Sequence, residues 1–503
     1  MTPVLMHGWD KVLDRRKVLL FFLFATFAYI YPLILADYSY LDDNWRSLDA
    51  GNGWAVEGRL FVDLFYKMLT FGSAAPNIFP LPLMVATLAM ALGLTELTFH
   101  FYPQPTISCC LVMLPLWYNP FFLQNLSYQY DGPAMALSQV VMIYAIIFRT
   151  ASRTLQLIVP AFLIALGLGL YQISVNVFLG LCCLELLRGV NHKIAWSQWC
   201  GLIGWKVAQV MLAWVIYWLT AYSFMSQDRV VWLSVAFDSL LQLETNIFRV
   251  LEAVALLVHG GFSWVFAALA PFALAGSWQI GVNVLKRQDT ALAKAVISLL
   301  CLLTVPAVVL LVSGAALFFK DFNAGLRLFM GFSVLLILLF YLTHQALAPR
   351  HRLSTLLLIV PLLAMLSLSY AYGRVLTMQK TFETSVLFAL GYDITTNRQL
   401  RDAKRIYLTR TYSDYWLVAA SGSFKQMPIL RHLLSVNVLM LAENLTKVGV
   451  TNVVAERKTH HPILINDQGI QPLIESKFYS IYLVGDQGYI VVKAPAPILE
   501  LHW

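Results

Sequence analysis

Val18-Leu-Leu-Phe-Phe-Leu-Phe-Ala-Thr-Phe-Ala-Tyr-Ile-Tyr-Pro-Leu-Ile-Leu-Ala36 follows Lys11, Arg15, Arg16 and Lys17 and runs directly into Asp37. About 20 mainly apolar residues are needed to cross a hydrocarbon core roughly 30 Å thick. A cleaved signal peptide would have a shorter apolar stretch ending at a small-residue cleavage site. This uncharged run, rich in Phe and Tyr, therefore reads as a retained first membrane helix.

Ten further segments read the same way: 81–101, 106–118, 133–148, 155–171, 173–187, 205–225, 252–275, 291–319, 324–344 and 353–373. The expected fold is thus a polytopic α-helical membrane protein of about eleven spans. Composition agrees. The chain has 503 residues, 59% of them apolar and 12% charged, with a mean hydropathy of +0.69. Soluble domains lie nearer 45–50% apolar and about 25% charged. A soluble globular protein, a disordered chain and a coiled coil are excluded. Six cysteines, five of them in the expected spans and Cys200 in a loop, make no exterior disulfide framework.

The net charge of +8 would suggest a nucleic-acid partner in a soluble protein. Here it follows the positive-inside pattern. With the N-terminus inside, fourteen Lys and Arg before residue 374 fall in cytoplasmic segments and seven in exterior ones. An odd number of spans places the C-terminus outside. No nucleic-acid partner is expected.

Residues 374–503 change character, with fourteen Lys or Arg and ten Asp or Glu. Lys404–Leu408 and Lys477–Val484 read as strands. Gly485-Asp486-Gln487-Gly488 before Tyr489–Lys493 reads as a hairpin turn, and Met427–Leu441 as a helix. The expected organisation is a transmembrane domain, 1–373, with its chemistry in the first exterior loop, 37–80, followed by a small exterior α/β domain, 374–503.

Where charge is scarce, its placement carries information. Asp37, Asp42, Asp43, Asp49, Glu57 and Asp63 fall within 27 consecutive residues. Acids at a helix C-terminus oppose its dipole, so solvation of the helix end explains this density poorly. A carboxylate pair such as Asp42 and Asp43, between low-dielectric protein and water, can raise one pKa and supply a general base for a hydroxyl nucleophile. Gly58–Lys67 reads as an amphipathic helix in the membrane interface. Arg59 there either pairs with Asp63 at i,i+4 or grips a lipid phosphate. Asn119–Gly132 is polar and aromatic. Tyr128 and Tyr130 suit interfacial anchoring, while the lone Asp131 suits a sugar hydroxyl, as do Tyr171 and Gln172 more weakly. Arg327 either snorkels or binds a phosphate leaving group. Neither zinc-type Cys/His spacing nor a P-loop is present, which disfavours nucleotide-driven chemistry.

Asp37 through Arg46, Glu57-Gly58-Arg59, Asn125 through Asp131, Tyr171-Gln172 and Tyr482-Leu-Val-Gly-Asp486 resemble the serotype-converting O-antigen glucosyltransferases of phages and prophages (the Gtr family). The similarity in layout covers nearly the whole chain. It implies a GT-C-like enzyme of the bacterial inner membrane that moves glucose from undecaprenyl-phosphate glucose to lipopolysaccharide O-antigen on the periplasmic side, inverting the anomeric carbon. A lipid-glucose synthase and a flippase would be its functional partners. The resemblance puts the base at Asp42 or Asp43 and the donor-phosphate contacts at Arg46 and Arg59; if neither acid is the base, Asp37 and Asp131 are the next candidates. The resemblance makes Asp131 an accessory acceptor-binding carboxylate. Some GT-C enzymes use a divalent cation and others none, and the residues leave the metal open. The alternatives are another polyprenyl-phosphate-sugar transferase acting on lipid A or a different glycan, and a lipid-sugar flippase. The flippase fits less well, since transporters place ionisable groups near the midplane and carry paired repeats.

Overall fold

The computed structural model describes residues 11–226, 233–234, 237–322, 324–348, 352–410, 416–418, 420–434, 442–455 and 469–494. Among these, eight helices are long and apolar enough to cross a bilayer: Arg15–Ala36, Leu81–Phe101, Arg153–Leu170, Gln172–Asn191, Trp196–Phe224, Gly261–Leu285, Ala291–Leu310 and Thr355–Thr396. Helices satisfy their own backbone hydrogen bonds, which is the condition for spanning lipid. The chain is a polytopic membrane protein.

Three expected spans are shorter apolar helices, Ile107–Leu116, Asp131–Ile147 and Phe332–Leu347. The first and third have a local cause. In the first, Ile107–Met113 tightens into a 3-10 turn at Leu114–Leu116, where Pro115 lacks a donor N–H. The third begins only after a separate turn at Leu326–Leu328. The stretch 252–275 also differs from its expected form. It is divided among helices Phe237–Leu257, Gly261–Ala267 and Ala270–Leu285, with Gly260 at φ +57° at the first break. Cys200 lies within a helix, Trp196–Leu219, where a loop was expected.

The final membrane helix does not stop near residue 373. It runs for 38 residues, Ile359–Thr396. Gly373 lets it approach the first helix closely, since a Cβ there would stand 2.4 Å from Pro32 Cβ.

The bundle has two distinct polar ends. At one, Arg15 pairs with Glu96, and the buried Glu185 accepts from His100 Nε2 at 2.7 Å and twice from Arg188 at 2.9 and 2.8 Å. The other end carries residues 37–80 and the stretch 119–132. Beyond it lies a five-stranded sheet made of β1 (Arg405–Arg410), β2 (Val453–Ala455), β3 (Ile474–Glu475), β4 (Tyr479–Val484) and β5 (Gln487–Val492). Its order is β2-β1-β5-β4-β3. β1 pairs in parallel with β2 and β5, and β3-β4-β5 is antiparallel. Gly485, at φ +63°, makes the tight β4–β5 turn. Within Met427–Leu441 the helix observed is Ile429–Leu433, and residues 435–441 lie outside the described residues.

The C-terminal region belongs to two cores. The sheet residues Ile406, Ile481 and Ile490 pack with Leu390 and Ile394 from the end of the long helix. Ile429, Leu430, Leu433 and Leu434 instead join the core of the helical bundle.

Candidate functional site

The first helix ends at Asp37, whose left-handed backbone (φ 44°) turns the chain across the end of the bundle. Asp43–Asp49 then forms a short helix that begins beside Asp42. The two adjacent acids meet different surroundings. Asp43 is buried and accepts three backbone N–H bonds: from Tyr40 at 2.9 Å, Gln129 at 2.8 Å and Tyr130 at 3.2 Å. It thereby ties the first loop to the stretch 119–132. Burial pushes its carboxyl up, to about 8, against the pull of those three donors. Asp42 is exposed and makes no side-chain capping bond to the helix it precedes. Asp37 is also exposed; it pairs with Lys380 at 3.0 Å and accepts from Gln129 Nε2 at 3.0 Å.

The arginines divide in a similar way. Arg46 is buried between two indoles, with its guanidinium carbon 4.4 Å from the Trp45 ring and 4.1 Å from that of Trp54. Arg59 is buried just before the helix Leu60–Thr70 and pairs with Asp131 at 2.9 Å, while its Nε donates to the Leu170 carbonyl at 3.0 Å. Trp54 Nε1 donates to the same Asp131 oxygen at 2.6 Å. Arg59 therefore does not pair with Asp63. Asp63 instead accepts from the Gly53 and Ala55 amides at 3.1 and 2.7 Å.

Of the two readings of Arg59, the i,i+4 pair with Asp63 is the one the structure removes. The buried residues of the helix Leu60–Thr70 are Val62, Asp63 and Tyr66. Asp63 faces the protein, where it finds its partners, while Lys67, Leu64 and Met68 are exposed.

Arg327 lies in the turn Leu326–Leu328 with its side chain exposed. Its Nη1 donates to the Tyr128 hydroxyl at 3.0 Å. Its peptide is held on both sides. Gln124 Oε1 accepts its N–H at 2.7 Å, while Asn125 Nδ2 and the Tyr171 hydroxyl each donate to its carbonyl at 3.1 Å. Tyr128 itself is buried, and the exposed Asp42 lies on the same end of the bundle. Gln172 donates to the Glu57 carbonyl at 3.1 Å and to the Tyr217 hydroxyl at 3.1 Å. Tyr130 keeps a buried hydroxyl with no partner among the described residues, as do Arg46 Nε, Arg59 Nη2 and Asn125 Oδ1. Gly132 is needed at the helix start, since a Cβ there would stand 2.6 Å from the Asn125 carbonyl.

Expected site residues thus form two layers. Asp43, Arg46, Arg59, Asp131, Tyr130 and Tyr171 make a buried scaffold, with the half-buried Gln172 at its edge. Asp42 and Arg327 are exposed at the same end of the bundle, Tyr128 is buried where it accepts from Arg327, and Asp37 is tied to Lys380. Sequence reading did not assign Trp54, Gln124, Asn125 or Lys380. Gln124 and Asn125 lie inside the polar stretch 119–132, and that polarity was their only signal. Among the described residues no group of three or more His, Cys, Asp or Glu side chains gathers to hold a metal ion.

Bundled apolar helices with ionisable side chains gathered at their two ends define an integral membrane protein. The chain belongs to the glucosyl transferase GtrII family, whose model matches residues 31–392, from the first helix to near the end of the last. A stretch of 165 residues is 30% identical to an uncharacterized 55.3 kDa protein in the gtrB 5' region of Salmonella phage P22, covering 33% of this chain and 34% of that protein. The chain therefore matches about a third of the length of that curated relative. No solved structure matches it.

Proposed function

We propose that the protein transfers a glucosyl residue from undecaprenyl-phosphate glucose to lipopolysaccharide O-antigen at the periplasmic face of the bacterial inner membrane, the modification that converts serotype. The supporting observation is that the exposed Arg327 donates to the Tyr128 hydroxyl at 3.0 Å on the end of the bundle that also carries the exposed Asp42. Membership of a glucosyltransferase family supplies the reaction class.

In this reading Asp42 takes the proton from an acceptor hydroxyl. The hydroxyl oxygen attacks the anomeric carbon from the opposite side, and the bond from that carbon to the donor phosphate oxygen breaks. Its electron pair leaves with the lipid phosphate, and configuration inverts. Arg327 stabilises the growing negative charge, more in the transition state than in the ground state. Tyr128, itself buried, accepts from Arg327 and so orients its guanidinium. Asp43 holds the base loop, and the Arg59–Asp131 pair holds the interfacial helix. The lipid enters along the exposed apolar face of Leu60–Thr70. A lipid-glucose synthase and a flippase supply the donor at that face.

Mass spectrometry of O-antigen from host cells with and without the gene tests the proposal. Added hexose on the O-antigen repeat is expected, and methylation analysis then gives the linkage. Unchanged O-antigen with hexose on lipid A would replace this acceptor by the alternative one.

A further inference from the structure

Gln124 occupies a position that catalysis of this kind does not by itself require. Its Oε1 accepts the Arg327 N–H at 2.7 Å. Its Nε2 faces the Tyr40 hydroxyl at 3.3 Å and the carbonyls of His432 and Leu433, each at 3.4 Å. The Leu433 carbonyl also accepts from the Tyr40 hydroxyl at 2.6 Å and from the Tyr372 hydroxyl at 3.3 Å. Tyr40 in turn packs edge-on against Tyr128, with ring centroids 4.8 Å apart. Three elements of the helical body therefore converge on one carbonyl of a segment that lies beyond the last membrane helix. That segment is anchored by apolar side chains in the bundle core and not in the core of the sheet.

We propose that this docked segment is a working part of the transfer site, and that Gln124 and Tyr40 are positioning residues through which it fixes Arg327. The inference rests on the role given to Arg327 above. Mobile guanidinium groups lose orientation entropy on each engagement with a phosphate, whereas one held at its own peptide is presented in a fixed geometry. Gln124 can do this because its amide offers an acceptor to Arg327 and two donors to the segment at once. Leu433 contributes only its backbone, so its role is independent of side-chain identity.

The test is a double-mutant cycle on the purified full-length enzyme, with a short-chain polyprenyl-phosphate glucose as varied donor. Gln124→Ala is expected to raise the donor KM about ten-fold, the loss typical of one hydrogen bond to a charged group's support, with kcat at saturating donor changed far less. Arg327→Ala is expected to cost at least as much. If Gln124 acts through Arg327, the double variant is no worse than Arg327→Ala alone. Multiplied losses in the double variant would overturn the inference while leaving the role of Arg327 intact. Wild-type donor kinetics in Arg327→Ala would instead remove the phosphate contact itself, and the inference with it. Tyr40→Phe, which deletes a single hydroxyl, replaces Gln124→Ala in the cycle if the latter does not elute as a folded species. Trypsin cleavage after Arg431 provides a second readout, since the docked backbone resists cleavage. Faster cleavage is expected in Gln124→Ala, and an unchanged rate would show that Gln124 does not hold the segment.

Discussion

Replacing Asp42 by Asn keeps the size of the side chain and removes its capacity to take a proton. The expected outcome is a 10²–10⁴-fold loss of transfer, the usual contribution of a placed general base, with an unchanged melting temperature. Asp43→Asn should behave differently. Above about pH 8, where Asp43 is ionised, an amide has one oxygen where the carboxylate presents two to the N–H groups of Tyr40, Gln129 and Tyr130, and it turns an NH₂ toward one of those donors. A buried donor left unsatisfied costs about 1–3 kcal/mol, so this variant should melt earlier. Thermal unfolding beside transfer assays separates the two acids. Equal melting temperatures with equal activity losses would mean that Asp43 is not a staple.

The helix Leu60–Thr70 meets the helix Asp131–Ile147 through one charged contact, Arg59 to Asp131, between side chains only 8% and 7% exposed. Removing one partner of a buried pair leaves an uncompensated charge and costs about 3–5 kcal/mol. Arg59→Ala is therefore expected to destabilise the protein strongly. Arg59→Ala with Asp131→Ala should recover part of that loss, because the stranded carboxylate is gone. Asp63 has separate partners, so Asp63→Ala should add to Arg59→Ala without coupling. Denaturation of the four variants in one detergent gives the coupling, and strict additivity between Arg59 and Asp131 would count against the pair.

For the whole molecule the structure sets the start of the first helix at one end of the bundle and the sheet beyond the other. Together with the Lys and Arg asymmetry, this predicts a periplasmic C-terminus. A periplasm-active reporter fused after residue 503 should be active and a cytoplasm-active one silent; the reverse result would invert every side assignment. The helical architecture was legible because lipid demands long apolar runs, and each run leaves its own record in the sequence. Where helices stopped short, the causes were single residues such as Pro115 and Gly260. The site was legible only in part. The acidic density at 37–63 marked the right end of the bundle, but which acid stays free depends on contacts across the fold. Asp43 finds donors 86 and 87 residues away, Arg59 finds its acid 72 residues away, and Tyr40 reaches a carbonyl 393 residues away. Local patterns of charge cannot encode such closures.

Helix Ile359–Thr396 has a mechanical meaning. Lys380 on it meets Asp37 where the first helix ends, and the helix continues without a break to Thr396. At 1.5 Å per residue that continuation is about 24 Å. A single unbroken α-helix is stiff along its axis, and its far end is packed into the core of the sheet. The sheet is therefore held at a set distance from the end of the bundle, like a shelf on a post. A glycan chain hanging from its own lipid anchor would be met at one constant height, so the position along that chain which reaches the enzyme is a matter of geometry before it is one of recognition.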